Sequence, residues 1–507
     1  MAQYQKMGLY SNCFAGAAPA NSQSCVERVA VESPAMPSRA RRKPTDAARS
    51  GRRTSGRNAA STLAASGVPR VPTWKFLAII TLVALAIRLV AMCFLYTESY
   101  NDFDNHLLFG FEIGRIARSL ALGHGFANPM LTDTGPTAWA TPVYPYLLAG
   151  VFKIFGVFTE SSAFAILSLN SIFSALTCIP IYLAAERGFD ARTARVAACL
   201  WAVWPYSVYL ASSFVWETCL SALLFACIFW AALRLRALCE NGARPGFGAW
   251  LAFGLLWGFT ALTNSSALAV FPFVVAWAMW PLWRMSRAAR ARTLESAALV
   301  LVGLMLMLLP WQLRNYRTFH QQVPMRDTFW VAFWVGNDGH PESWADAAVH
   351  PTISAPEQAE LVRLGEIPYT QAKRRQSLDF LAGHRGLFAV TTMRRFIYFW
   401  TGFWNLNPMN LAVEFRGASN VFLTSLLSIL MLLGLWQAVR TAPGSVLPYA
   451  IVLVFYPLVF YITVPEIRYR HMIEPEMTIL AALGGRFLLA ELVKGFPWLG
   501  QLARDSK

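Results

Sequence analysis

Acids, arginines and aromatic residues crowd one stretch of the chain: Ser99-Tyr-Asn-Asp-Phe-Asp-Asn-His106, then Phe109-Gly-Phe-Glu-Ile-Gly-Arg-Ile-Ala-Arg118. It holds three carboxylates, Asp102, Asp104 and Glu112. A carboxylate fixed by its neighbours can act as a general base toward a hydroxyl or an amine. Leu108, Phe111, Ile116 and Leu120 recur at roughly helical spacing and predict an amphipathic helix. On that helix Glu112, Arg115 and Arg118 share neighbouring faces, so cations stand beside the acid. Asp102-Phe-Asp104 is also a DxD pattern, which can hold a divalent ion next to a phosphate, and the motif is too short to decide the metal. Composition alone equally fits a solvated loop lying on a membrane.

The elements that must position these residues are long and apolar. The chain has 507 residues, 56% hydrophobic and 14% charged, whereas soluble domains carry about 25% charged residues. A helix needs roughly 20 apolar residues to cross a bilayer, and helices satisfy their backbone polar groups internally in lipid. The alternation expected of barrel strands is not evident. Spans are predicted at Trp74–Tyr96, Ala163–Ala185, Ala194–Leu210, Phe214–Leu235, Phe247–Leu262, Ala267–Trp283, Leu294–Leu313, Ser419–Ala438, Leu447–Val464 and His471–Leu492. The expected fold is all-α, a polytopic membrane helix bundle of about ten spans, twelve at most, with interfacial helices in two long loops.

Charge places those loops. The net charge is +16, and much of it lies in residues 1–73, at Arg39, Arg41, Arg42, Lys43, Arg49, Arg52, Arg53, Arg57 and Arg70. That segment is rich in Ala, Ser, Gly and Pro, lacks an apolar period, and is expected to be a disordered cytoplasmic tail that fixes topology rather than a nucleic-acid binder. The short loops on the same side of a ten-span chain all carry arginine, as at Arg236, Arg284, Arg287, Arg290 and Arg440. The positive-inside rule makes that side cytoplasmic. The loops at about 97–162 and 314–418 then lie outside, within a membrane domain at 74–492, and residues 493–507 form a second cytoplasmic tail. Tyr144–Phe158 is apolar, but counting it as a span would put Arg284, Arg287, Arg290 and Arg292 outside, so an interfacial or re-entrant helix is expected. The first long apolar run starts near Trp74 and is too long for a signal-peptide core. The expected location is the plasma (inner) membrane, with both termini cytoplasmic. The eight cysteines contain no CxxC pair, so neither a disulfide framework nor a zinc site is indicated. Arg88, inside the first span, reads as a functional charge or as a side chain that snorkels.

Arg88-Leu89 in the first span, Ala117-Arg118, Gly123-His-Gly-Phe126 and Pro142-Val-Tyr-Pro145 follow one another along the chain. Downstream come Trp216-Glu-Thr218, Gly254–Asn264, Pro310-Trp-Gln-Leu-Arg-Asn-Tyr316, Val335-Gly-Asn337 and Arg468-Tyr-Arg-His-Met-Ile-Glu-Pro475. In that order these motifs resemble the GT-C glycosyltransferases, in particular the family of protein O-mannosyltransferases, aminoarabinose transferases and their bacterial relatives. The resemblance covers about 75 to 490. The family's Asp-Glu pair, nine residues before the Arg of Ala-Arg, is replaced here by Phe109-Gly110. Its Leu-Thr-Arg-Pro reads Leu262-Thr-Asn-Ser265.

The resemblance implies an inverting transferase that takes a monosaccharide from a polyprenyl-phosphate donor on the outer side of the membrane. The catalytic base is then Glu112 or Asp104, with Asp102 beside them. A lipid phosphate is the leaving group, and fixed cations at the lipid–water boundary stabilise its charge. Arg115, Arg118, Arg314, Arg468, Arg470 and His471 are candidates for that task, with His124, Trp139 and Tyr144 as further substrate contacts. Interfacial anchoring also explains the arginines at span ends, and an aromatic belt explains Trp139, Trp330 and Trp334. His340, His350 and His384 lack metal-ligand spacing. The expected partners are membrane lipids, the lipid-linked sugar and an acceptor that is a protein, a lipid or a glycan, with no nucleic acid. A divalent metal is not needed for this reading. The rival readings are a multi-span lipid or sugar transporter or flippase, and a non-catalytic member of the same fold. No internal repeat between the halves supports a transporter.

Overall fold

Apolar runs with internally paired backbones become helices throughout the computed structural model. It describes residues 72–99, 109–243, 245–339, 349–404 and 420–495. The chain divides into two units, Met1–Thr73 and Trp74–Lys507, and almost all the described residues belong to the second. Among them there is no strand, only an isolated bridge between Ala127 and Pro136. The protein is an all-α polytopic membrane protein. Among the described residues six helices are long and apolar enough to cross a bilayer: Thr73–Leu95, Glu160–Gly188, Thr218–Glu240, Ala289–Phe319, Val421–Thr441 and Pro443–Ile462. Leu82, Val90 and Phe94 on the first of these are exposed in the chain itself, as expected of side chains that meet lipid.

The other expected spans occur as shorter or interrupted helices. Ala191–Val203 and Pro205–Ser213 are separated at Trp204, which is extended, because Pro205 has no N–H to continue the ladder. The helix expected to open at Phe214 begins at Thr218, since Phe214 is extended too. Phe271–Met285 follows a short turn at Ser265–Ala269, and Glu474–Gly495 follows one at His471–Ile473. The apolar segment expected to be interfacial or re-entrant forms Val143–Phe155.

Small residues let the helices approach closely. A Cβ at Gly254 would lie 2.2 Å from the Val300 carbonyl oxygen, and one at Gly434 would lie 1.8 Å from that of Leu480. These contacts join Phe247–Thr263 to Arg287–Phe319 and Val421–Thr441 to Glu474–Gly495.

Arg88 does not snorkel. It is fully buried, donating to the Ser174 and Ser207 hydroxyls and to the carbonyls of Ala84, Trp201 and Ala202 at 2.9 to 3.1 Å. Two of those carbonyls are freed where the helix breaks before Pro205. The arginine therefore satisfies the open backbone at the kink, which is otherwise costly in an apolar interior.

The two long loops fold against each other. Met130 and Trp139 from the first share a small core with Val331, Val335, Leu361 and Tyr369 from the second. Ala138 packs with Val323 and Ile367. They consequently lie on the same side of the bundle.

Candidate functional site

The first loop enters through a turn that only glycine fits. Gly110 has φ +79°, and a Cβ there would lie 2.3 Å from the Val215 carbonyl oxygen. Phe111 follows at φ 47°, a strained value that its packing maintains. Its ring sits 6.3 Å from that of Trp216. Helix Glu112–Ala121 starts immediately afterwards, so Glu112 occupies the first turn, where the helix dipole favours a carboxylate. Docking Gly110 on Val215 brings Glu112 toward the Trp216-Glu217 corner.

The second loop meets the same carboxylate. The Thr352 hydroxyl donates to Glu112 Oε1 at 3.0 Å, and His350 Nε2 stands 4.0 Å from that oxygen. The charges acting on His350 are Glu112, Glu466, Arg468 and Glu357, and burial pulls the imidazole below its ordinary range. Those acting on Glu217 are Arg468, Arg326 and Glu112. Glu217 Oε1 accepts from the Asn264 amide at 3.5 Å, while Oε2 is buried with no partner among the described residues. Arg468 pairs with Glu466, and its guanidinium lies 4.0 Å over the Trp216 ring. Arg326 is exposed and donates to the Thr328 hydroxyl at 2.5 Å. Three acids, a neutral imidazole, two guanidiniums and an indole thus meet at one place. They can abstract a proton and stabilise a phosphate, with the indole holding a guanidinium in place.

The residues singled out from sequence are distributed unevenly about this place. Glu112 and Arg468 are within it. Asp102 and Asp104 lie outside the described residues. Arg115 is on the Glu112 helix but buried, reaching the Pro129 carbonyl at 3.5 Å. Arg118 is half-buried and His124 is exposed. Trp139 lies within the core between the loops, and Tyr144, 1% exposed, donates to Asn170 Oδ1 at 3.0 Å. Arg314 holds the first loop down. It donates to the Phe126 and Thr137 carbonyls at 2.7 and 2.6 Å, while Trp311 Nε1 and Asn315 Nδ2 hold the Met325 and Val323 carbonyls. The Pro-Trp-x-x-Arg-Asn run is thus a staple between the loops. Arg470 and His471 converge on Glu474: Arg470 Nη2 reaches Oε1 at 3.0 Å and His471 Nδ1 reaches Oε2 at 2.7 Å. All three side chains are at most 1% exposed, so this ion pair faces protein, not a substrate.

His350, Thr352, Glu217, Glu466 and Arg326 join the site without having been candidates. Glu217 and Glu466 are separated from Glu112 by long stretches of sequence, and no short motif announces such a meeting. Among the described residues no three or more His, Cys, Asp or Glu side chains converge as a metal site.

Residues 139–311 match the family model described as dolichyl-phosphate-mannose-protein mannosyltransferase. The oligosaccharyltransferase AglB of Archaeoglobus fulgidus, solved with an inhibitory peptide and a dolichol-phosphate, is similar in structure at a TM-score of 0.50 and 14% identity, over 86% of this chain and 52% of that one. The chain has the fold of the GT-C glycosyltransferases. It spans about half the length of the archaeal oligosaccharyltransferase. ArnT of Cupriavidus metallidurans, solved with undecaprenyl phosphate, aligns over 82% of this chain and 77% of its own at 15% identity and a TM-score of 0.36. No curated protein matches the chain significantly in sequence. Within the GT-C fold seen here, the family match includes Trp216-Glu217 and Asn264, while Glu112, His350 and Arg468 lie outside the matched residues.

Proposed function

We propose that the protein is an inverting, membrane-embedded glycosyltransferase. It transfers a monosaccharide from a polyprenyl-phosphate donor to a hydroxyl or amine of a protein, lipid or glycan acceptor. The reaction takes place on the outer side of the plasma membrane, with both termini in the cytoplasm. Glu112 accepts the acceptor's proton as its oxygen or nitrogen attacks the anomeric carbon. The bond from that carbon to the phosphate oxygen breaks, and the electron pair leaves with the lipid phosphate. Arg468, held over the Trp216 ring and with Arg326 beside it, stabilises the departing anion. Asp104 and Asp102 are the alternative bases. Arg115 and Arg118 support the charge of the Glu112 helix, whereas Arg470, His471, Arg314, Trp139 and Tyr144 hold the scaffold. No step requires a metal ion.

The observation that carries this reading is the juxtaposition of Glu112 with Arg468 over Trp216, in a GT-C fold. The arginine assignment is tested by binding of undecaprenyl phosphate to the purified protein in detergent. Arg468→Ala should weaken binding by about tenfold or more, the scale of one charge-assisted phosphate contact. Arg468→Lys should recover only part, since lysine lacks the planar pair of donors. Unchanged binding by folded Arg468→Ala would remove Arg468 from the phosphate site.

A further inference from the structure

The chemistry assigned to Glu112 requires its carboxylate to be held in one orientation, and its own helix does not supply a donor for that. A donor comes instead from the His350–Thr352 turn, more than two hundred residues away in sequence, through the Thr352 hydroxyl. The His350 carbonyl accepts from the amides of Ile353 and Ser354 at 3.0 and 2.8 Å, which closes the turn just before helix Ala355–Leu364. Thr352 is 3% exposed, so its hydroxyl is fixed by packing.

The ring orientation follows from a backbone contact. The Thr352 amide donates to His350 Nδ1 at 3.2 Å. An imidazole nitrogen that accepts a hydrogen bond carries no proton, so in the neutral ring the proton resides on Nε2. Nε2 is the atom facing Glu112 Oε1, at 4.0 Å. The Thr352 hydroxyl addresses the same oxygen. The Thr352 donor and the Nε2–H face therefore both address Oε1, and Oε2 is left to receive a proton. A separation of 4.0 Å is longer than a hydrogen bond, and catalytic contacts of this kind shorten when substrate closes the site.

We infer that His350, as a neutral Nε2–H donor presented by the Thr352 turn, is a positioning residue that orients the Glu112 carboxylate, so that docking of the second loop completes the site. This rests on the reading of Glu112 as the base. The charged groups around the pair are Arg115 on the Glu112 helix, Glu217 before the Thr218 helix, Glu357 on the helix after the turn, and Glu466 with Arg468. Burial keeps His350 below its ordinary range and so maintains the neutral donor.

The test is the pH profile of kcat/KM for the full-length protein in a transfer assay with a polyprenyl-phosphate monosaccharide. Loss of a donor to a carboxylate disfavours its charged form and raises its pKa. His350→Leu should lower kcat by about tenfold or more with little change in KM, and should move the acid limb to higher pH. His350→Gln, whose amide N–H can replace Nε2–H, should restore most of the rate and the original limb. Thr352→Val should move the limb in the same direction as His350→Leu. The inference is overturned if His350→Leu keeps the wild-type profile. It is equally overturned if His350→Leu and His350→Gln lose rate together with the acid limb unmoved, which is loss of packing alone. Glu112→Gln separates the two claims. If it is inactive while the His350 variants leave the limb in place, only the positioning role fails. If it is fully active, the base assignment fails and takes this inference with it.

Discussion

At the scale of residues, two arginines two positions apart have different surroundings. Arg468 lies over Trp216 and beside Glu466 at the candidate site, whereas Arg470 is 1% exposed and donates to Glu474 and to the Thr424 carbonyl. Their spacing on the short helix Ile467–Arg470 turns them to different sides. Removing one partner of a buried ion pair costs about 3–5 kcal/mol, because the other charge remains unpaired. Arg470→Ala should thus lower thermal stability markedly, while Arg468→Ala should affect it far less and act on lipid-phosphate binding; melting of the two purified variants checks this. Equal melting temperatures would mean that Arg470 does not anchor the bundle. The sequence identifies the Arg-Tyr-Arg-His motif but not which arginine turns to the site, since that depends on where the preceding span ends. Likewise Glu112 is legible from the amphipathic helix that it opens, but His350 is not, because its only signal is a fold that returns the second loop onto the first.

At the scale of elements, the junction between the loops holds an acid pair. Glu366 accepts from the Ala138 amide at 2.5 Å and from the Thr137 hydroxyl. Asp327 donates its amide to the Ala138 carbonyl at 3.3 Å, yet its carboxylate oxygens are buried with no partner among the described residues. Burial raises both acids, Asp327 to about 7, and the Asp327 carboxylate further opposes ionisation of Glu366. Arg326 opposes the rise at Asp327, and Arg314 does so at Glu366. An acid whose folded pKa lies above its unfolded one binds more protons when folded, so stability falls as pH rises from about 4 to about 7. The cost is at most about 1.4 kcal/mol per pH unit for one group. Asp327→Asn should flatten this loss, and its melting temperature should exceed that of the wild type most at pH 8. A variant that keeps the wild-type pH slope would show that the pair does not titrate in this window. The helices themselves were largely legible, because apolar runs and prolines mark them. The breaks at Trp204 and before Thr218 were legible only in part, since the second has no proline.

At the scale of the whole molecule, the mutual packing of the two long loops fits the charge pattern that placed both on one side. That side is proposed to be outside. A reporter fused after Arg290 should then report the cytoplasm, and one fused after Ser354 the outer compartment. The reverse result would invert the topology and move the site to the cytoplasmic face. The fold class was readable from sequence because lipid imposes a coarse pattern on every span. The candidate site was readable only in part because it is assembled from five separated segments, around Glu112, Glu217, Arg326, His350 and Arg468.

If a carboxylate of the first loop removes the acceptor's proton, as proposed, single-turnover transfer from a polyprenyl-phosphate monosaccharide must depend on it. Glu112→Gln keeps the shape and hydrogen-bonding capacity of the side chain but cannot take the proton, so its turnover should fall about 10²–10⁴-fold, with lipid-phosphate binding and melting temperature nearly unchanged. Asp104→Asn, measured beside it, should retain most activity. Full turnover by Glu112→Gln together with an inactive but folded Asp104→Asn would transfer the base to Asp104, and full turnover by both would contradict catalysis by this loop.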